Sequence, residues 1–135
     1  MGVNQPRVYL DSCVIIYLVE EHPVYAPLIE SHLQNAAGVS LCFSALSELE
    51  CLVMPLRTQN QTLIDKFRDW FARADFLSLE RNVFQQAADL RATNQSLKTP
   101  DAIHLAAARY HGCAELWTND GRLNTIAPGM ARKVT

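Results

Sequence analysis

Four carboxylates spread along the chain have types and positions that predict chemistry: Asp11, Glu48, Asp101 and Asp120. Asp11 and Asp120 follow predicted strands, whereas Glu48 and Asp101 fall in predicted helices. In an open α/β fold, the carboxyl ends of the strands line one crevice. Negative charges gathered there repel one another, and a divalent cation would compensate them. Oxygen ligands favour Mg²⁺ or Mn²⁺ over Zn²⁺, so these residues predict metal-assisted phosphoryl chemistry.

Each carboxylate also has an explanation that is purely structural. Asp11 is a good helix N-cap, and Asp101 lies where a helix dipole favours negative charge. Asp120 lies in an Asn-Asp-Gly sequence, which is typical of turns whatever their function. Glu48 has Glu50 as a near neighbour, and helical periodicity does not decide which of the two faces inward. The prediction therefore rests on the joint placement of the four residues.

Strands that alternate with helices must position these side chains. The predicted strands are 7–10, 39–43, 76–79 and 115–118, with a fifth near 133–134. The predicted helices are 12–20, 24–38, 44–55, 58–74, 83–93 and 99–111. This alternation predicts a three-layer α/β/α, Rossmann-like fold with a central, mostly parallel sheet of four to five strands. With no repeat and no linker, residues 1–135 are expected to form a single domain.

Local signals set several boundaries. Ser44 is the expected cap of the third helix, and Pro55 is expected to stop it. Thr99 is the expected N-cap of the last long helix, which Gly112 ends. Residues 119–121 are expected to form a turn after the strand that precedes them.

The overall charge does not indicate a nucleic-acid partner, but it does not exclude one. The formal net charge is −2, with 12 basic and 14 acidic residues. Four of the acidic residues are the proposed ligands, and the remaining 10 face 12 basic side chains, so the rest of the molecule is slightly positive. Bound cations would offset the ligands as well.

Cysteine usage and hydropathy favour a protein of a reducing compartment. The four cysteines show no C-x-x-C spacing and have apolar neighbours, which is typical of buried reduced thiols. The longest apolar run, 14–19, is too short to span a bilayer, and no signal peptide is visible. We expect a soluble, cytoplasmic protein with no membrane partner.

Four segments resemble the motifs of one known family. Residues 8–15 (VYLDSCVI) resemble the opening of a PIN domain, in which an aspartate ends the first strand. Residues 44–50 (SALSELE) resemble the second motif, whose alignment selects Glu48. Residues 99–106 (TPDAIHLA) are similar to the third acidic motif of VapC-type toxin ribonucleases, and 117–123 (WTNDGRL) resemble the closing motif.

The resemblance implies a PIN-like fold and a Mg²⁺- or Mn²⁺-dependent endoribonuclease, the toxin of a type II (VapBC-type) toxin–antitoxin system. It implies that the four carboxylates bind one or two ions and that hydrolysis by water leaves a 5′-phosphate and a 3′-hydroxyl. Three neighbours are implied to orient the ligands or the scissile phosphate: Ser12, Thr118 and Asn119. The implied partners are RNA, a second copy of the chain and an antitoxin protein.

The chain departs from the family pattern at two positions. Cys13 stands where the family often has a small polar residue, which weakens any polar role there. Asn124 stands where a further acid would strengthen the second-metal side.

Other polar residues have weaker signals. His104 shares a helix face with Asp101, but packing or partial exposure is the preferred interpretation over metal or phosphate binding. Four basic residues are candidates for contact with RNA phosphates: Arg57, Arg81, Lys98 and Arg122.

Alternative functions remain open from the sequence. A PIN nuclease outside toxin–antitoxin systems and a catalytically silent RNA-binding module both fit the resemblance. An aspartate-phosphorylated domain is disfavoured, because Cys13 replaces the second acid that a phosphatase of this type needs. Metal-free histidine ribonuclease chemistry would leave cyclic phosphate ends and survive a chelator.

Overall fold

A five-stranded, all-parallel sheet forms the centre of the molecule, as seen in a computed structural model that describes residues 5–135. The strands are β1 Arg7–Leu10, β2 Ser40–Phe43, β3 Asp75–Phe76, β4 Glu115–Thr118 and β5 Ala131–Lys133. Their order across the sheet is β3-β2-β1-β4-β5. In the registers of the central strands, Tyr9 of β1 lies opposite Cys42 of β2 and Leu116 of β4.

Seven helices connect and cover these strands within the described part of the chain. They are α1 Ser12–Val19, α2 Tyr25–Asn35, α3 Ala45–Arg57, α4 Gln61–Arg73, α5 Arg81–Thr93, α6 Thr99–Tyr110 and α7 Gly121–Ile126. Among residues 5–135, none of these helices has the length and apolar character needed to cross a membrane.

The two faces of the sheet bury different side chains because successive residues of a strand point to opposite sides. Val8 and Leu10 of β1 pack into one apolar cluster with residues of α1 to α4. Tyr9, between them, belongs to the other cluster, which includes residues of α5, α6 and α7. Full burial of a large apolar side chain contributes about 1.5–3 kcal/mol relative to exposure, so apolar burial holds each helical layer against its face of the sheet. The predicted three-layer α/β/α fold with a parallel sheet is confirmed.

The chain changes direction at β1, and this determines where a site can form. From β1 it proceeds outward to β2 and β3, and then returns to the other side of β1 to form β4 and β5. The helix after β1 therefore covers one face and the helix after β4 covers the opposite face, as the apolar clusters of Val14 and Leu123 demonstrate. Such a switch point opens a crevice between the carboxyl ends of β1 and β4.

Several predicted boundaries were wrong. Pro55 does not stop α3, which continues through it to Arg57. The proline lies in the last turn, so the hydrogen bond that its missing N–H removes affects only the end of the helix. The next helix begins at Gln61 after an Asn60 cap, three residues later than predicted. The third strand has only the residues Asp75–Phe76 instead of 76–79.

Two helix starts also differ from expectation. Lys98, not Thr99, is the N-cap of α6, which places Asp101 at its third position. Residues 119–121 do not form an isolated turn, because Asp120 caps the short helix α7. The capping box of Ser44 with Ser47 and the positive φ of Gly112, +69°, match the predicted signals at those positions.

Candidate metal-binding and catalytic site

Asp11 lies at the centre of the crevice, directly after β1. Its backbone N–H donates to the carbonyl of Trp117 at 2.9 Å, so the sheet ladder continues one residue past the strand and fixes the aspartate. The hydroxyl of Thr118 donates to Asp11 Oδ2 at 2.9 Å. Asp11 is 7% exposed, which leaves a carboxylate that is largely buried but not closed off from solvent.

Asp120 reaches the same crevice from the end of β4. Its backbone N–H donates to Thr118 Oγ1 at 3.1 Å, so Thr118 links the two aspartates. The side chain of Asp120 accepts the N–H of Arg122 at 2.8 Å and thereby caps α7. The guanidinium of Arg122 also binds this carboxylate, with Nη2 3.0 Å from Oδ2. Its hydrogen bonds are the main reason that the pKa of Asp120 lies below its usual value.

Asp101 enters from the first turn of α6 and lines a small cleft together with Asp120 and Arg122. Burial raises the pKa of Asp101, and the negative charge of Asp11 adds to this effect, followed by smaller contributions from Asp120 and Glu50; only His104 opposes them. A carboxylate whose neighbours disfavour its charge is a group that a cation would stabilise.

The glutamate brought to this cluster is Glu50, and not Glu48. Glu50 Oε1 accepts the hydroxyl of Ser12 at 3.0 Å and lies 2.6 Å from His104 Nε2. Burial pushes the pKa of Glu50 upward, but hydrogen bonds from His104 and Ser12 and the charge of His104 outweigh it and lower the pKa overall. No side-chain hydrogen bond of Glu48 is found within residues 5–135, and Asp101 feels the charge of Glu50.

Sequence reasoning missed Glu50 for a geometric reason. The buried face of α3 carries Ser47, Cys51 and Pro55 at four-residue spacing. At about 100° per residue, Glu48 and Glu50 lie on opposite flanks of that face, and both are half-buried. Helical periodicity has no means of choosing between two flanks, because the choice depends on which neighbouring elements lie beside each one.

Ser12 and Asn119 are also placed beside the cluster. Ser12 Oγ lies 3.5 Å from Asp11 Oδ1 in addition to its bond to Glu50. Asn119 is oriented from α1, because its amide donates to the hydroxyl of Tyr17 at 3.1 Å and its carbonyl accepts the thiol of Cys13 at 3.1 Å. Cys13 thus does have a polar contact, contrary to the weakened role expected from its type.

His104 is buried, with 1% of its surface exposed, and both ring nitrogens have partners. The expectation of a packing residue fits its burial, but the alternative of partial exposure is wrong. Its partners are Tyr9 on one side and Glu50 on the other, so its packing is linked to the site.

The donor set has the right chemistry for a hard divalent cation. The carboxylates of Asp11, Glu50, Asp101 and Asp120 supply only oxygen ligands, and burial followed by the charges of the other three raises the pKa of Asp101. Among residues 5–135, however, no three His, Cys, Asp or Glu side chains stand close enough together to hold an ion. Protein donors such as Thr118, Ser12 and Arg122 hold the carboxylates instead.

A family model for the PIN domain matches residues 8–128. The chain belongs to the PIN-domain family. The match extends from β1 to beyond α7 and so includes every carboxylate of the cluster. No match was found among curated protein sequences.

Solved structures with this PIN fold include several toxin–antitoxin proteins. VapBC2 from Rickettsia felis, bound to a promoter DNA fragment, aligns with a TM-score of 0.76 at 13% identity, over 93% of this chain and 97% of that one. A toxin–antitoxin complex from Klebsiella pneumoniae gives 0.77 at 20% identity, over 95% and 98%. VapC20 from Mycobacterium tuberculosis, a sarcin–ricin loop cleaving toxin, gives 0.72 at 12% identity, over 87% and 93%.

Proposed function

We propose that this PIN protein is a Mg²⁺- or Mn²⁺-dependent endoribonuclease and the toxin of a VapBC-type toxin–antitoxin pair. The observation that carries the proposal is the crevice between β1 and β4, where Asp11, Asp101, Asp120 and Glu50 gather from four different elements. In this proposal Glu50 takes the ligand role first assigned to Glu48.

The side chains divide the work in a way that their contacts support. Asp11, Glu50, Asp101 and Asp120 would hold one or two ions. When bound, such an ion lowers the pKa of water and stabilises charge that develops on a phosphodiester. Thr118 and Ser12 keep the carboxylates of Asp11 and Glu50 in place.

Groups at the rim of the crevice fit a polyanionic substrate. Arg122 is 60% exposed at its side chain, and the charge of Lys98 contributes to the lowered pKa of Asp120. Both cations therefore lie beside the carboxylates, where they would contact RNA phosphates. Asn119, held by Tyr17 and Cys13, would orient the scissile phosphate.

A protein partner is part of the proposal. The neighbours from Rickettsia felis and Klebsiella pneumoniae are toxin–antitoxin complexes, which supports an antitoxin for this chain. Leu49, Val53 and Leu56 form an exposed apolar stripe on α3 at helical spacing, with 59%, 40% and 51% exposure. Such a stripe is typical of an interface, and a homodimer is the proposed arrangement.

One assay separates the proposal from its alternatives. The purified chain is incubated with structured RNA in Mn²⁺, in Mg²⁺ and in EDTA, beside the D11N variant, and the product ends are mapped. We expect cleavage that EDTA and D11N abolish, with 5′-phosphate ends. Cyclic phosphate ends that persist in EDTA would indicate histidine chemistry, which the burial of His104 opposes. RNA binding without cleavage under any divalent cation would indicate a silent module.

A further inference from the structure

A buried chain of hydrogen bonds connects the core of the protein to Glu50. The hydroxyl of Tyr9, a residue with no exposed surface, lies 2.8 Å from Ser44 Oγ, 3.3 Å from Ser47 Oγ and 2.6 Å from His104 Nδ1. On the other side of the imidazole, His104 Nε2 lies 2.6 Å from Glu50 Oε1. The chain of contacts thus runs from two serines through Tyr9 and His104 to the carboxylate.

The donors in this chain can be assigned from the partners that each atom already has. Ser44 Oγ and Ser47 Oγ each accept a backbone N–H in the capping box of α3, so their own protons are free to donate to Tyr9. The carboxylate of Glu50 can only accept, so His104 Nε2 bears a proton and donates to it. In the neutral form of the imidazole, Nδ1 is then the atom that accepts the hydroxyl proton of Tyr9. Within residues 5–135, every buried side-chain nitrogen and oxygen has a hydrogen-bond partner.

The same residues join three of the four elements that position the carboxylates. Tyr9 lies two residues before Asp11 on β1, Ser47 lies three before Glu50 on α3, and His104 lies three after Asp101 on α6. A change at the centre of this network would therefore alter how α3 and α6 sit relative to β1.

The two oxygens of Glu50 are used unequally. Both the Ser12 hydroxyl and the His104 Nε2–H bind Oε1. Among the described residues, no hydrogen bond to Oε2 is found. One oxygen is therefore fixed by the protein and the other is left for a ligand, an arrangement typical of carboxylates that bind metal with partners behind them.

We propose that His104 is a positioning residue that fixes Glu50 for a divalent cation, and that Tyr9 fixes the orientation of His104. The proposal rests on the proposed metal-dependent function. His104 itself touches neither the cation nor the RNA in this arrangement. Its effect is that the carboxylate of Glu50 already has a fixed orientation, so that binding of the ion does not have to restrict the motion of this side chain.

The test uses Mn²⁺ as the probe and two substitutions of similar size. His104→Gln keeps an N–H donor near the position of Nε2, whereas His104→Leu fills the space without one. We expect His104→Leu to weaken Mn²⁺ binding about 10- to 100-fold, the range seen when outer partners of metal ligands are lost. His104→Gln should recover most of that loss, and Tyr9→Phe should give a smaller, several-fold loss.

Three measurements distinguish positioning from simple destabilisation. Mn²⁺ affinity is obtained from the electron paramagnetic resonance signal of free Mn²⁺, without reference to activity. Thermal unfolding in chelator is measured beside Ile29→Ala, a truncation of a buried residue of α2, which supplies no side chain to the site. RNA cleavage at rising Mn²⁺ should show a lowered kcat for His104→Leu that high Mn²⁺ restores, with an unchanged KM for RNA.

The outcomes separate this inference from the function on which it rests. If the parent protein binds Mn²⁺ and His104→Leu binds it equally well, the inference is overturned and the proposed function stands. The inference is likewise overturned if His104→Leu only lowers the melting temperature, as Ile29→Ala does. If His104→Leu does not fold, the other two variants decide. A several-fold weaker Mn²⁺ affinity in Tyr9→Phe supports the inference, whereas Mn²⁺ affinities equal to that of the parent in both Tyr9→Phe and His104→Gln overturn it. If the parent neither binds Mn²⁺ nor cleaves RNA, both proposals fall.

Discussion

The hydroxyl of Ser12, the first residue of α1, donates to Oε1 of Glu50 at 3.0 Å and so joins the end of β1 to α3. This bond distinguishes Glu50 from Glu48, which lies on the other flank of the same helix. It also makes the two glutamates a matched pair for experiment, since they share a helix, a residue type and partial burial.

Glu50→Gln is expected to lower RNA cleavage about 100-fold or more, because a ligand should cost at least as much as the outer partners of a ligand. Glu48→Gln should stay within about twofold, as for substitutions away from special features. Initial rates at fixed Mn²⁺ measure both. Equal loss in the two variants, or loss in Glu48→Gln alone, would return the ligand role to Glu48.

Arg122→Gln is expected to tighten Mn²⁺ binding about two- to fivefold, the scale on which exposed ion pairs act. The guanidinium of Arg122 holds both oxygens of Asp120, and an incoming cation must displace it. Mn²⁺ titration of the RNA-free protein measures the effect, with the exposed Arg68→Gln on α4 as a charge-matched control. Unchanged or weaker binding in Arg122→Gln would mean that Arg122 does not compete with the ion.

Asp101→Asn is expected to raise the thermal stability of the metal-free protein at pH 7 while it abolishes cleavage. Burial and then the charge of Asp11 raise the pKa of Asp101 in the folded state, so above that pKa its ionised form costs the folded protein more than the unfolded chain. After allowance for solvent screening, the gain should be under about 1 kcal/mol, or roughly 1–3 °C.

The stability gain of Asp101→Asn should vanish at acid pH. As the pH falls through the raised pKa, the folded protein takes up a proton at Asp101, and the cost shrinks until it disappears below the pKa of the unfolded chain, about 3.9. Thermal unfolding in chelator at pH 7 and near pH 3 checks this sign, beside Asp89→Asn at an exposed position of α5. A gain that persists unchanged at low pH would show that charge is not its cause.

Tyr17→Phe is expected to lower kcat/KM for RNA about fivefold without a change in Mn²⁺ affinity. It removes the hydroxyl that accepts the Asn119 amide, and one net hydrogen bond contributes about 1 kcal/mol. Tyr25→Phe is the matched control, since its ring packs 4.8 Å from that of Tyr17 in the same aromatic group. A parallel drop in Mn²⁺ affinity would place Asn119 among the groups that hold the ion.

The sequence predicted best those elements that local chemistry and burial specify together. The bounds of β1 and β4 were predicted to the residue, because buried strands of high β propensity are followed by a polar residue at Asp11 and at Asn119. Site residues whose position depends on one contact between distant parts of the chain were not predicted. Glu50 is an example, since its partner His104 lies 54 residues away.

Short elements were missed for a different reason. The six-residue helix α7 begins with Asn-Asp-Gly chemistry that also suits an isolated turn, and its existence depends on Asp120 accepting the N–H of Arg122. The strand β3 is two residues long because its pairing with β2 ends after Phe76. The β propensity of the residues alone predicts a longer strand than the pairing with β2 allows.

The central position of β1 in the sheet has a consequence for synthesis on the ribosome. Asp11 emerges more than 100 residues before its backbone partner Trp117 and its side-chain partner Thr118. A nascent chain that still lacks β4 therefore has no complete crevice, whatever structure its earlier helices have formed. On the proposed function, a partly translated polypeptide would therefore be unable to cleave RNA until β4 has been made.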